Sequence, residues 1–138
     1  MIKNHTFSRL RVLAYHKVKD INLFETQLRF INSKYTVIGL EELENYIIYG
    51  GKLPPKALLI TFDDGDLSVY KNAFPVLKKY KLPAILFVIT DLIDTQNAFW
   101  WDEFEYCLGR EEGNKKAWEV KTWGNSKREA FLEELRNT

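Results

Sequence analysis

The sequence predicts an α/β fold in which parallel strands alternate with helices, as a layered sheet or a barrel. Three observations lead there. Short apolar runs recur four times: RVLAY (Arg11 to Tyr15), YTVI (Tyr35 to Ile38), ALLITF (Ala57 to Phe62) and AILFVI (Ala84 to Ile89). The segments between them carry apolar residues at helical rather than alternating spacing. The run AILFVI has no polar residue in it, the pattern of a strand buried on both faces of a parallel sheet.

Taken in order, the first strand ends at His16. Asn22 with Glu25 three positions on resembles a helix-opening capping pair, and Phe24, Leu28, Ile31 and Tyr35 then follow at helical spacing. After the second strand, LEELENYIIYGG predicts a helix with Leu40, Leu43 and Ile47 on one face and Gly50-Gly51 as its stop. The loop KLPPK leads into the third strand. Val69, Ala73, Val76, Leu77 and Tyr80 form the next helical stripe, and Pro75 within it predicts a kink or a break. Beyond the fourth strand the chain reads as helical, with Ser126 and Glu129 in capping-box register before a charged amphipathic helix. That helix reads as a solvated face.

Bulk composition excludes several classes. The 138 residues set an expectation of one domain. Twenty basic and nineteen acidic side chains nearly cancel, so no basic excess marks a nucleic-acid footprint. The lone cysteine, Cys107, permits no internal disulfide or cysteine-rich zinc site. Cys107 lies among aromatic residues and reads as a packed thiol. No apolar run is long enough to span a membrane, and the N-terminus has no signal-peptide pattern. The sequence as written therefore reads as cytoplasmic.

In parallel α/β folds, ligands sit at the C-terminal ends of the strands. Those ends carry His16, then Asp63 and Asp64, then Thr90 and Asp91. Residues far apart in sequence are thus expected on one rim. Asp63 and Asp64 would point to opposite faces of an unbroken strand. Gly65 permits a sharp turn that brings both to one place. Two close anions then call for a cation between them or a proton on one. One reading is a carboxylate that ligates a metal beside one that takes a proton from water. The other is an ordinary Asp-Gly turn with a helix-capping aspartate.

TFDDG after an apolar strand resembles the first motif of the polysaccharide deacetylases, the family-4 carbohydrate esterases. VLAYHKV is similar to the first strand of longer members, LPPKALLITFDDG with FPVLKKYKLPAILFV to their central strand–helix–strand unit, and FWWDEFE to a later segment. The resemblance spans nearly the whole chain. It implies a partial (β/α) barrel of about four parallel strands, with Asp63 as catalytic base and Asp64 as ligand of a divalent metal, usually zinc. It implies an N- or O-acetylated sugar polymer as substrate. Members bearing Tyr-His at the first strand suggest His16 as the general acid, against a plain rim histidine. Family members often act at the cell envelope.

The family's later His-x-x-x-His metal motif is missing, since the only histidines are His5 and His16. A whole barrel needs at least about 200 residues. Residues 1–138 are therefore expected to be a truncated deacetylase domain, inactive or nearly so by itself. Its open edge would be prone to self-association. Two rival readings stand beside this one. Asp64 to Ser68 also fits the Asp-x-Asp-x-Ser pattern of aspartyl-nucleophile phosphatases, which would use Asp64 and Asp66. A non-catalytic carbohydrate-binding remnant would need no metal. Trp100 and Trp101 could stack on a sugar or serve packing, and packing is the expectation. His5 receives no role.

Overall fold

The computed structural model describes residues 9–137, so His5 lies outside the described residues. The chain divides into two compact units, residues 1–89 and 90–138.

The first unit holds four parallel strands: β1 (Arg11–Tyr15), β2 (Thr36–Ile38), β3 (Ala57–Phe62) and β4 (Ile85–Leu86). Helices α1 (Ile21–Lys34), α2 (Leu40–Ile48) and α3 (Phe74–Tyr80) alternate with them. β3 is the central strand. Arg11 lies opposite Leu58 and Tyr15 opposite Phe62 along one edge. Along the other, Thr36–Ile38 faces Ala57–Leu59, and Ile85–Leu86 faces Thr61–Phe62. Because Leu58 pairs with both Arg11 and Val37, and Thr61 with both Ala14 and Ile85, β2 and β4 share that second edge.

All six residues of β3 are buried, as a strand covered on both faces demands. Leu58, Ile60 and Phe62 join Phe24, Leu28 and Ile31 of α1 and Val76 and Leu77 of α3 in the main core. Ala57 and Leu59 face the other way and pack with Ile38, partly buried Leu43 and Ile85. The alternation of strand side chains thus builds two cores from one segment.

Four local expectations change. The α1 cap is Asp20, whose Oδ1 accepts from the backbone N–H groups of Asn22 and Leu23 at 2.9 and 3.0 Å. Glu25 is occupied elsewhere, accepting from Lys79 Nζ and the Tyr80 hydroxyl, both at 2.7 Å. Asn125, not Ser126, begins the last helix, and its cap position is Gly124 with no side-chain bond. The fourth strand is two residues long, not six, and Leu86, Phe87 and Val88 are exposed rather than buried. β3 ends at Phe62 and turns away, so pairing stops after the Phe87 N–H to Phe62 carbonyl bond.

Pro75 acts where the stripe placed it. A π-helical turn, Val69–Ala73, precedes α3, and Pro75 occupies the first turn of α3. Proline has no N–H to give and crowds the carbonyl four residues back, and the wider turn makes room. Val69, Ala73, Val76 and Leu77 still reach the core.

The second unit contains a 3₁₀ turn, Thr90–Leu92, then α4 (Trp100–Leu108), α5 (Arg110–Val120) and α6 (Asn125–Arg136). Phe104, Val120 and Leu132 are fully buried, with Trp100, Leu108, Trp123 and Phe131 packed around them. α4 and α5 touch at Gly113, where a Cβ would fall 2.5 Å from the Phe104 carbonyl oxygen. Only glycine allows that approach. Trp100 meets Phe104 edge-on and carries the buried Arg128 guanidinium over its ring at 4.4 Å, while Trp101 stacks on Phe99. Both tryptophans thus make packing contacts. Cys107 is exposed, not packed, because the stripe Trp100, Phe104 and Leu108 takes the core and Cys107 falls beside it.

Candidate active site

β1 and β3 run side by side in the same direction, so their C-terminal ends meet. The ladder extends one bond past the strands: the Asp63 N–H donates to the Tyr15 carbonyl at 2.8 Å. The two strands are pinned here by aromatic packing. Tyr15 stacks on Phe62 with centroids 5.5 Å apart and meets Phe24 edge-on at 5.4 Å. Its hydroxyl donates to Gln27 Oε1, and partial burial raises its pKa. The residue after each strand then projects from a fixed point. These residues are His16 and Asp63, and His16 Nε2 lies 3.9 Å from Asp63 Oδ2.

The imidazole is well exposed and the carboxylate about a third exposed. An exposed histidine–carboxylate pair of this kind contributes at most about 1 kcal/mol to stability, and only with the ring protonated. Its interest is chemical: a proton acceptor and a proton carrier stand side by side in reach of solvent.

After Asp63 the chain reverses sharply. Asp64 has φ 72° and Gly65 φ 83°, two consecutive left-handed residues. The turn foreseen at Gly65 therefore takes in Asp64 as well. Aspartate tolerates this region better than most side chains, at some cost. A Cβ on Gly65 would stand 3.3 Å from Val88 Cγ1.

Beyond the turn lies a set of contacts that sequence reasoning missed. The Ser68 N–H donates to Asp66 Oδ1 at 2.8 Å, and Ser68 Oγ accepts from the Val18 N–H at 2.9 Å. Asn72 Nδ2 donates to the Val18 carbonyl at 2.6 Å. Lys17 Nζ lies 3.5 Å from Asp66 Oδ2. Burial pushes the Asp66 carboxyl up. Hydrogen bonds from the Ser68 hydroxyl and backbone, with Lys17 beside it, outweigh that and hold it below its usual range. The Asp-x-Ser spacing of 66 and 68 was a readable turn signal; nothing in the sequence announced Asn72.

Sequence reasoning placed His16, Asp63 and Asp64 on one rim. The first two are in contact there, and Asp64 is next along the chain in the turn. Thr90 and Asp91, expected at the end of the fourth strand, instead open the second unit in its 3₁₀ turn. The strand stops too early to carry them. Asp66, the second aspartate of the phosphatase reading, is committed to Ser68 and Lys17. A carboxyl held ionised this way is poorly suited to donate a proton.

Among the described residues, no group of three or more His, Cys, Asp or Glu side chains is placed to hold a metal ion. A catalytic zinc takes about three protein ligands. The donor set present here therefore does not by itself fit the metal implied by the resemblance.

The structure is thus a parallel α/β sheet with adjacent carboxylates and a histidine at its C-terminal rim, the end at which such folds bind ligands. Residues 50–138 match the family model for polysaccharide deacetylase, and the chain belongs to that family. A 93-residue stretch is 34% identical to the poly-β-1,6-N-acetyl-D-glucosamine N-deacetylase of Staphylococcus aureus, covering 66% of this chain and 31% of that protein. Among solved structures, IcaB from Ammonifex degensii superposes with a TM-score of 0.59 at 35% identity, over 72% of this chain and 48% of that one. A de-N-acetylase from Aggregatibacter actinomycetemcomitans gives 0.56 at 27% identity, over 62% and 39%. The chain thus spans less than half the length of each of these relatives. Asp63 and Asp64 lie inside the family match and His16 outside it.

Proposed function

We propose that this chain supplies the Asp63 side of a deacetylase centre that acts on N-acetylated sugar polymers of the poly-β-1,6-N-acetylglucosamine type. The observation that carries the reading is the contact of Asp63 with His16 at the strand rim, within a chain of the deacetylase family. The substrate class is supported by the names of the relatives.

In this reading Asp63 takes a proton from the water whose oxygen attacks the acetyl carbonyl carbon. As the C–N bond breaks, acetate departs, and a proton from His16 completes the free amine. Among the described residues, Asp64 is the ligand we assign to a divalent cation such as zinc. Its turn holds it beside Asp63, but one carboxylate does not make a metal site. We therefore assign the chain a partial centre, with the remaining ligands supplied from outside the described residues.

Acetate release from N-acetylglucosamine oligomers by the 138-residue chain, with and without added zinc or cobalt, tests this directly. We expect none above background, and no phosphate release from phosphomonoesters. Metal-dependent acetate release abolished by Asp63→Ala would establish the chemistry but overturn the partial centre. Phosphate release lost in Asp64→Ala would replace the reading altogether.

A further inference from the structure

The ladder between β1 and β3 ends at the bond from the Asp63 N–H to the Tyr15 carbonyl. His16 therefore lies outside the sheet, on a segment without regular structure. Such a segment is ordinarily mobile on its own. Two residues later, however, Val18 is fixed three times over. Its N–H donates to Ser68 Oγ, its carbonyl accepts from Asn72 Nδ2, and its side chain is buried in the main core. His16 hangs between two anchors, Tyr15 and Val18, only three residues apart.

We propose that Ser68 and Asn72 are positioning residues that set the His16 imidazole against the Asp63 carboxylate. The proposal rests on the functional reading above for its purpose, but its geometry stands apart from catalysis. Ser68 and Asn72 follow Asp63 by five and nine residues, on the helical turn that opens after Asp66 and the π-helical turn that continues it. The clamp therefore ties the segment bearing His16 to the segment bearing Asp63, and the two move together. Ser68 is itself oriented. Its N–H donates to Asp66 Oδ1 at 2.8 Å while its hydroxyl oxygen accepts from the Val18 N–H. Lys17 closes the relay from the other segment. The clamp spans 50 and 54 residues of sequence in its two bonds to Val18.

The buried Val18 side chain could anchor the segment without help, and the test must separate the two. The chain has two histidines, so His5→Gln assigns the ring signals of His16 in ¹H–¹⁵N spectra of the full chain. Asp63→Asn then marks where those signals go when the carboxylate is removed. In Ser68→Ala we expect the Val18 amide to exchange on the order of tenfold faster. We also expect the His16 ring signals to move toward their Asp63→Asn positions. Ser68→Thr keeps the hydroxyl and restores both. Asn72→Leu repeats the effect from the other bond, should Ser68→Ala fail to fold as judged by β3 amide protection.

If Val18 exchange rises while the His16 signals stay at wild type, Ser68 only anchors Val18 and the proposal falls. It falls also if Val18 exchange is unchanged in folded Ser68→Ala. None of these readings requires turnover. Success here with no acetate from any assembled form would leave the positioning in place and remove the deacetylase function.

Discussion

The turn that carries the acidic pair makes a quantitative prediction. Gly65 has φ 83°, and a side-chain-bearing residue there pays about 1–2 kcal/mol for the left-handed backbone. Gly65→Ala also stiffens the unfolded chain, which returns about 0.4–1 kcal/mol. The new Cβ would meet Val88 Cγ1 at 3.3 Å. Val88 is 46% exposed, so it can shift, and this contact is the smaller contribution. The net expectation is a loss of about 1 kcal/mol, roughly a fivefold rise in the open population. Gly65→Asn should lose less, because asparagine tolerates this region. The choice of assay matters. All four tryptophans, at 100, 101, 118 and 123, lie in residues 90–138, so tryptophan fluorescence reports the wrong unit. Amide exchange of Ile60 and Phe62 in β3 reads the right one. A Gly65→Ala variant clearly more stable than wild type would refute the need for a left-handed backbone at this position.

Further predictions concern charge, metal and the sheet edge. The folded-state pKa of Asp66 is depressed, so the stability it contributes is complete above the ordinary carboxylate range and is lost as pH falls through the folded value. Asp66→Asn should flatten that acid limb of a pH–stability profile, and an unchanged limb would contradict the assignment. Zinc titrated calorimetrically into the 138-residue chain should bind only weakly. A submicromolar site lost in Asp64→Ala would reveal ligands beyond those the donor set supplies. Exposed Leu86, Phe87 and Val88 beside the two-residue β4 form an apolar strand edge, a template for pairing between chains. Light scattering should show mass rising with concentration, and Val88→Lys should reduce it. A monomer at every concentration with protected amides along 84–89 would contradict this.

What could be read from sequence follows from the range of the forces involved. β1, β3 and α1 were legible because burial writes its period into neighbouring residues. The rim placement of His16 and Asp63 followed from parallel strands alone. The length of β4 was not legible. Its apolar run is as strong as that of β3, but β2 already occupies part of the shared edge and β3 turns away at Asp63. The cap of α1 was misassigned because Asn22 and Glu25 match a local pattern while Asp20 makes the bonds. Glu25 prefers Lys79 and Tyr80, 54 and 55 residues away. The Ser68–Val18–Asn72 clamp escaped for the same reason, since a side chain bonded to distant backbone leaves no period.

A chimera offers the most direct measurement. The 93 residues of this chain that align with the S. aureus enzyme, at 34% identity, would replace the matching stretch, with the remainder of that enzyme retained. Acetate release from N-acetylglucosamine oligomers is then followed, with near-ultraviolet circular dichroism as the check on folding. We predict that the chimera releases acetate and that Asp63→Ala lowers the rate by about 10²–10⁴-fold, the range of a lost general base. A folded chimera that releases acetate equally well with alanine at position 63 would contradict the assignment of Asp63 as the base.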